Sequence, residues 1–268
     1  MTSLAHITSG TLAYEVRGRT DLPPLLLLRP LGGSMALWGA FADRLATERR
    51  VIMFDPRGAG RSSKPPWSIT TRAMAADAAS LLDTLGVETT DVFGLSLGGL
   101  VATWLAIDAP HRVRRLILAS TLPRPSAVSR RVARRIPMRV SAMFRRSPNA
   151  EVALVRQTLS SVFREREPAR VAEIEALIRA HPAGSRDLMK LALAAARHCA
   201  VDRLSEITAP TLLLVGDLDL IVSDKAQEEL LRLIPTARLE RIEGAGHDLS
   251  LEQPIATAVR CLGFLGAA

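Results

Sequence analysis

The stretch Asp91-Val92-Phe93-Gly94-Leu95-Ser96-Leu97-Gly98-Gly99 restricts what this chain can fold into more than any other. A short apolar run ends in a serine with glycine two residues away on each side, and a second apolar run, Leu100 to Ile107, follows at once. That is the pattern of a buried strand turning sharply into a helix, with the serine on the turn and its hydroxyl held out at the edge of a sheet. Gly94 and Gly98 make the turn possible, because a β-carbon at either position would collide as the strand folds back into the helix. A helix starting at Leu97 also aims its unpaired N–H groups at the serine.

The rest of the chain supplies a sheet for this turn to sit on. His6 to Val16, with Gly10 and Gly18 as punctuation, reads as an antiparallel pair. Leu25 to Leu28, Val51 to Phe54, Leu116 to Ala119, Thr211 to Val215 and Leu239 to Ile242 are strand candidates. The continuous apolar run Leu25 to Leu28 suits burial on both faces. Helical spacing runs through Ala36–Leu45, Ala73–Leu85, Asp224–Leu233 and Pro254–Leu265. Strands alternating with helices predict an α/β fold with a mostly parallel, doubly wound sheet of about eight strands. A chain of 268 residues, 48% of them hydrophobic, has ample material for one such core. One stretch breaks the alternation: between Ala119 and Thr211 the pattern is helical, with breaks at Pro123, Pro125, Pro137, Pro148, Pro168 and Pro182. We expect residues 123–204 to be a helical lid over the serine's end of the sheet, and residues 1–122 and 205–268 to form the core domain.

Charge and cysteine content narrow the function. The net charge of +8 is concentrated: Ala109 to Ala150 has no Asp or Glu but carries Arg112, Arg114, Arg115, Arg124, Arg130, Arg131, Arg134, Arg135, Arg139, Arg145 and Arg146. With no nucleic-acid motif or interleaved aromatics, the segment reads as a solvated helix face with Val128, Val132 and Ile136 turned inward, or as a lid whose arginines attract anionic substrates. Nucleic acid is not expected as a partner. No apolar stretch approaches the roughly eighteen residues that span a bilayer, and Met1 to Gly18 lacks a signal-peptide core. A cytoplasmic protein without stable membrane insertion is expected. Cys199 and Cys261 are too few for a disulfide framework or a zinc site and read as reduced core residues.

A serine hydroxyl is a weak nucleophile at neutral pH and needs a base to take its proton and an acid to orient that base. Both are available downstream. Gly216-Asp217-Leu218-Asp219 follows the strand candidate Thr211–Val215, and His247 lies in the small-residue loop Gly244-Ala245-Gly246-His247-Asp248 after the last strand candidate. The order serine, acid, histidine is the one that goes with a G-x-S-x-G turn on an α/β sheet. His6, His111, His181 and His198 have no such loop and read as surface or packing residues.

With these residues in view, the chain resembles the α/β-hydrolase fold superfamily over nearly its full length. The resemblance rests on Gly94-Leu95-Ser96-Leu97-Gly98-Gly99, on Phe54-Asp55-Pro56-Arg57-Gly58-Ala59-Gly60-Arg61-Ser62, on Gly216-Asp217-Leu218-Asp219-Leu220-Ile221-Val222 and on Gly246-His247. It implies Ser96 as nucleophile, His247 as base and then acid, and Asp219 as orienting carboxylate, with Asp217 as the competitor that family spacing disfavours. It also implies two oxyanion-hole donors, the backbone N–H of Leu97 and that of Leu31. The second loop reads Arg29-Pro30-Leu31-Gly32-Gly33-Ser34 where many relatives carry His-Gly, a departure similar to the 3-oxoadipate enol-lactonase branch. Arg29 then has two readings, a carboxylate-binding group for an acidic substrate or one half of a scaffold ion pair. The expected activity is hydrolysis of a small-molecule carboxylic ester or lactone through an acyl-enzyme, by a monomer or homodimer, with no metal or organic cofactor implied. Carbon–carbon bond hydrolysis and thioester hydrolysis use the same triad, and a non-catalytic ligand-binding protein is the alternative from another class.

Overall fold

The computed structural model describes residues 2–125 and 150–266. Its strands are β1 (Ser3–Ile7), β2 (Gly10–Arg17), β3 (Pro24–Leu28), β4 (Arg50–Phe54), β5 (Thr90–Leu95), β6 (Val113–Ala119), β7 (Thr211–Gly216) and β8 (Ala237–Ile242). The helices are α1 (Gly39–Ala46), α2 (Thr71–Thr84), α3 (Leu97–Asp108), α4 (Ala150–Thr158), α5 (Ser161–Arg166), α6 (Pro168–Ala180), α7 (Ser185–Ala196), α8 (Asp224–Leu233), α9 (Leu249–Glu252) and α10 (Pro254–Gly266). One eight-stranded sheet has the order β1-β2-β4-β3-β5-β6-β7-β8. β2 pairs antiparallel with β1 and β4, and every later pairing is parallel.

The continuous apolar strands are buried on both faces, and their period of two sorts residues into two layers. Leu26, Leu28, Ile52, Val92, Leu116 and Leu213 join one core with α2 and α3. Leu25, Leu27, Val51, Phe93, Ile117 and Leu212 join the other with α1 and α10. α3 is buried on nearly every side, which is why its sequence lacks an amphipathic stripe.

Two expectations are corrected. The helix read from Ala36 splits into a 3₁₀ turn, Met35–Trp38, and α1 from Gly39, whose φ is 33°. The break lets Trp38 and Phe41 both pack on Phe93, with ring centroids 5.8 and 4.9 Å away. Of the two cysteines only Cys261 is in the core, where burial pushes its thiol well up. Cys199 is exposed, because the turn after α7 sends its neighbours His198 and Ala200 inward instead.

Between β6 and β7 the chain places α4 to α7. These carry a small apolar cluster of their own, Val152, Val155, Leu159, Phe163, Val171, Ile174 and Ile178, which reaches the main body through Leu37 and Leu251. Val128, Val132, Ile136 and the arginines at 130, 131, 134, 135, 139, 145 and 146 lie outside the described residues. Among the described residues no helix is long and apolar enough to cross a membrane.

His198 joins this segment to α2 through a 2.9 Å Nδ1 to Thr71 Oγ1 hydrogen bond and lies edge-on to Trp104. Burial lowers its pKa to about 4, so the folded protein holds it neutral. An unfolded chain takes up the proton near pH 6.5, so the neutral ring's contribution is complete above that pH and is lost as the pH falls toward 4. Urea denaturation of wild type and His198→Gln checks this. Between pH 7 and 4.5 the wild type is expected to lose about 2 kcal/mol relative to the variant, and a constant difference would remove the assignment.

Candidate active site

The site begins with the turn between β5 and α3. A β-carbon on Gly94 would lie 2.4 Å from the Gly98 carbonyl oxygen, and one on Gly98 would lie 2.0 Å from the Leu28 carbonyl oxygen. Ser96 between them has φ 54° and ψ −113°, a conformation that costs a non-glycine residue on the order of 1–3 kcal/mol. Hydrogen bonds hold it there. The Ser96 N–H donates to Ala119 O at 2.9 Å, and the Ser96 carbonyl accepts from Gly99 N, Leu100 N and Thr121 Oγ1.

The acid and histidine loops meet across a second close approach. A β-carbon on Gly216 would lie 2.1 Å from the Ala245 carbonyl oxygen, and Leu218 N donates to that oxygen at 2.9 Å. His247 Nε2 lies 2.9 Å from Ser96 Oγ, and His247 Nδ1 lies 3.0 and 3.2 Å from the two Asp219 oxygens. With the Nδ1 proton toward the carboxylate, Nε2 is the acceptor for the serine hydroxyl. Burial acts to raise the Asp219 pKa, but the His247 contact and the N–H groups of Val222 and Ile221 outweigh it, and the net shift is downward. Asp219 therefore stays ionised opposite the imidazole. Asp217 is exposed and takes no part in this chain of hydrogen bonds.

Ser96 and His247 open onto a cavity of about 340 Å³. Its lining is apolar apart from those two, Ser120 and Thr121: Leu31, Leu97, Leu100, Leu122, Ile221, Val222, Pro125 and three alanines of the α7 end, Ala192, Ala195 and Ala196. Leu97 is the first residue of α3, so its N–H has no intrahelical acceptor, and neither it nor the Leu31 N–H makes a hydrogen bond among the described residues.

Arg29 is not brought to this cavity. Its side chain is fully buried, with Nη2 3.6 Å from Asp248 Oδ2 and the guanidinium 4.6 Å from the centre of the Trp38 ring. Burial lowers its pKa, opposed by the charges of Asp248 and Asp55. The scaffold ion pair is the arrangement observed, and it ties the end of β3 to the residue after His247.

Three buried residues escaped the sequence reading. Ser120 has φ 42°, borders the cavity and has an Oγ without a hydrogen-bond partner among the described residues. Glu151 of α4 accepts from the Gly33 N–H at 2.7 Å and from the Ala183 N–H at 2.8 Å. Glu252 of α9 accepts from Ser160 N at 2.8 Å and Ser160 Oγ at 2.5 Å, beside Gly246. Burial raises both glutamates' pKa values, and their hydrogen bonds pull the other way. The only sequence signal was an acidic residue directly beside inward-facing apolar ones, Val152 and Leu251, too weak to single either out.

Residues 23–254 match the model of a family described as the alpha/beta hydrolase fold. A protein of Azorhizobium caulinodans named "Putative carbamate hydrolase RutD" is 31% identical over 98% of this chain and 97% of its own length. The structure of a thermophilic esterase from Thermogutta terrifontis is 30% identical, with a TM-score of 0.86 over 99% of this chain and 98% of the other. That of the enol-lactonase from Burkholderia xenovorans LB400, 24% identical, has a TM-score of 0.85 over 99% and 100% of the two chains, a likeness of fold alone.

The Arg29 geometry yields a prediction. Arg29→Ala leaves Asp248 and Asp55 buried without their cation and is expected to cost about 3 kcal/mol in urea denaturation. Wild-type stability together with a KM raised for acidic substrates only would restore Arg29 to substrate binding.

Proposed function

The chain belongs to the α/β-hydrolase fold family, and we propose that it is a serine hydrolase cleaving a carboxylic ester or lactone with a neutral, largely apolar acyl group. The reading is carried by the continuous hydrogen-bonded chain from Ser96 Oγ through His247 to Asp219 at the wall of an apolar cavity.

The distances around His247 support the following chemistry. Ser96 Oγ attacks the substrate carbonyl while His247 Nε2, 2.9 Å away, takes the hydroxyl proton, and Asp219 stabilises the imidazolium that forms. The carbonyl oxygen becomes an oxyanion, and the Leu31 and Leu97 N–H groups are its donors. Collapse of the tetrahedral intermediate breaks the carbonyl–alkoxy bond, His247 returns the proton to the departing alcohol, and the acyl group stays on Ser96. Water, deprotonated by His247, attacks the acyl-enzyme, and a second collapse releases the acid and restores Ser96. In a lactone the alcohol and acid are one molecule, so a single hydroxy acid leaves. In this reading α4 to α7 serve as the lid, and the alanines of α7 leave the room for the acyl group.

The lining supports a neutral acyl group because no Asp, Glu, Lys or Arg side chain borders the cavity among the described residues. A carbamate is the second reading, favoured by the name of the relative from Azorhizobium caulinodans. It would undergo the same attack at Ser96 and leave a carbamoyl group on the serine.

Nitrophenyl butyrate, a γ-lactone and a nitrophenyl carbamate, each given to wild type and Ser96→Ala, test the proposal. Wild type is expected to hydrolyse the ester or the lactone and Ser96→Ala neither. Asp219→Asn is expected to lose on the order of 10³- to 10⁴-fold in kcat, since the amide no longer holds the imidazole proton on Nδ1, and Asp217→Asn is expected to stay near wild type. Turnover of the carbamate alone selects the second reading, and no Ser96-dependent turnover of any substrate removes both.

A further inference from the structure

The loop Leu31–Ser34 carries the proposed oxyanion donor and has two successive left-handed glycines, Gly32 at φ 88° and Gly33 at φ 74°. Glycine imposes almost no conformation of its own, so contacts from outside must set the direction of the Leu31 N–H. On the core side Asp55 Oδ1 accepts from the Met35 N–H at 2.6 Å. On the other side the anchor comes from the inserted helices: Glu151 Oε1 accepts from the Gly33 N–H across a sequence separation of 118 residues.

Glu151 is costly where it stands. It is buried in α4 beside Val152 and Val155, and an apolar residue there would extend the cluster those two belong to. Its two oxygens are instead spent on main-chain N–H groups, Gly33 at the oxyanion loop and Ala183 in the connection between α6 and α7. One carboxylate thus ties together three segments that share no other hydrogen bond among the described residues. α4 also leaves the loop little room: a β-carbon on Gly32 would lie 3.1 Å from Val155 Cγ2.

We propose that Glu151 is a positioning residue, the acceptor through which the inserted helices fix the Gly33 peptide and so aim the Leu31 N–H at the developing oxyanion. This rests on the serine hydrolase reading above. It makes the oxyanion hole conditional on seating of the inserted segment: with α4 docked the loop is held from both sides, and with α4 displaced the two glycines are free to turn the donor away. Transition-state stabilisation is thereby tied to a closed site.

The test compares wild type, Glu151→Gln, Glu151→Met and Glu151→Asp, full chain throughout, by kcat and KM on nitrophenyl butyrate and by the rate of Ser96 phosphonylation with a nitrophenyl alkylphosphonate. Gln, with its oxygen toward the Gly33 N–H, keeps that acceptor at the same reach and gives up only the Ala183 bond, where its NH2 cannot accept. Met keeps the length without an acceptor, and Asp withdraws the carboxylate by one methylene. Met and Asp are expected to lose at least about tenfold in kcat and in phosphonylation, with KM within about threefold, while Gln stays within about threefold of wild type on every measure. Should the Met variant fail to fold by circular dichroism, Asp against Gln carries the same contrast. Wild-type kcat in a folded Met or Asp variant, or equal losses in Gln and Met, overturns the inference while leaving the hydrolase reading in place. Turnover that Ser96→Ala does not abolish overturns both.

Discussion

At Gly98 the main chain of α3 passes so close to the end of β3 that a single added carbon would sit 2.0 Å from the Leu28 carbonyl oxygen. That approach brings two loops together. One carries Ser96 at the start of α3, and the other carries Leu31 three residues beyond β3. It also obliges Ser96 to adopt a left-handed backbone, which persists because β5 is buried throughout and α3 on nearly every side, so neither can relax around it. Hydrogen bonds from Gly99, Leu100 and Thr121 to the Ser96 carbonyl complete the restraint. The rigid parallel sheet is what makes the strained turn affordable.

A second approach, at Gly216 and Ala245, does for the acid and histidine loops what the first does for the serine. Strand order completes the arrangement: β5, β6 and β7 are neighbours, so the loops after β5 and β7 lie one strand apart, and the His247 loop after β8 reaches back over them. The histidine can then meet a carboxylate on one nitrogen and the serine on the other. The inserted helices are keyed to the same loops. Leu37 and Leu251 join their apolar cluster from either side, Glu151 holds Gly33, and Glu252 holds Ser160 beside Gly246.

Much of the sheet was legible because a strand buried on both faces must be apolar throughout, and Leu25 to Leu28 or Thr211 to Val215 have few other ways to be buried. The serine turn was legible because only glycine tolerates its contacts. Gly39, by contrast, gave no warning that it would break a helix, because the break is justified by where Trp38 and Phe41 find Phe93, far away in the chain. Cys199 read as a core residue because an apolar residue type does not reveal which side of a turn faces inward.

The sequence by itself determined the α/β alternation, the position of the serine turn and the order of serine, acid and histidine, because these follow from local sterics and from hydrophobic periodicity along the chain. Tertiary structure alone decided that Arg29 is sealed beside Asp248 and Trp38 and that Glu151 and Glu252 are buried hydrogen-bond acceptors, and it set Asp219, the carboxylate the family resemblance already favoured over Asp217, against His247. Each of these depends on which groups distant in the chain become neighbours. A charged side chain carries no mark in the sequence of the partner that will compensate its burial.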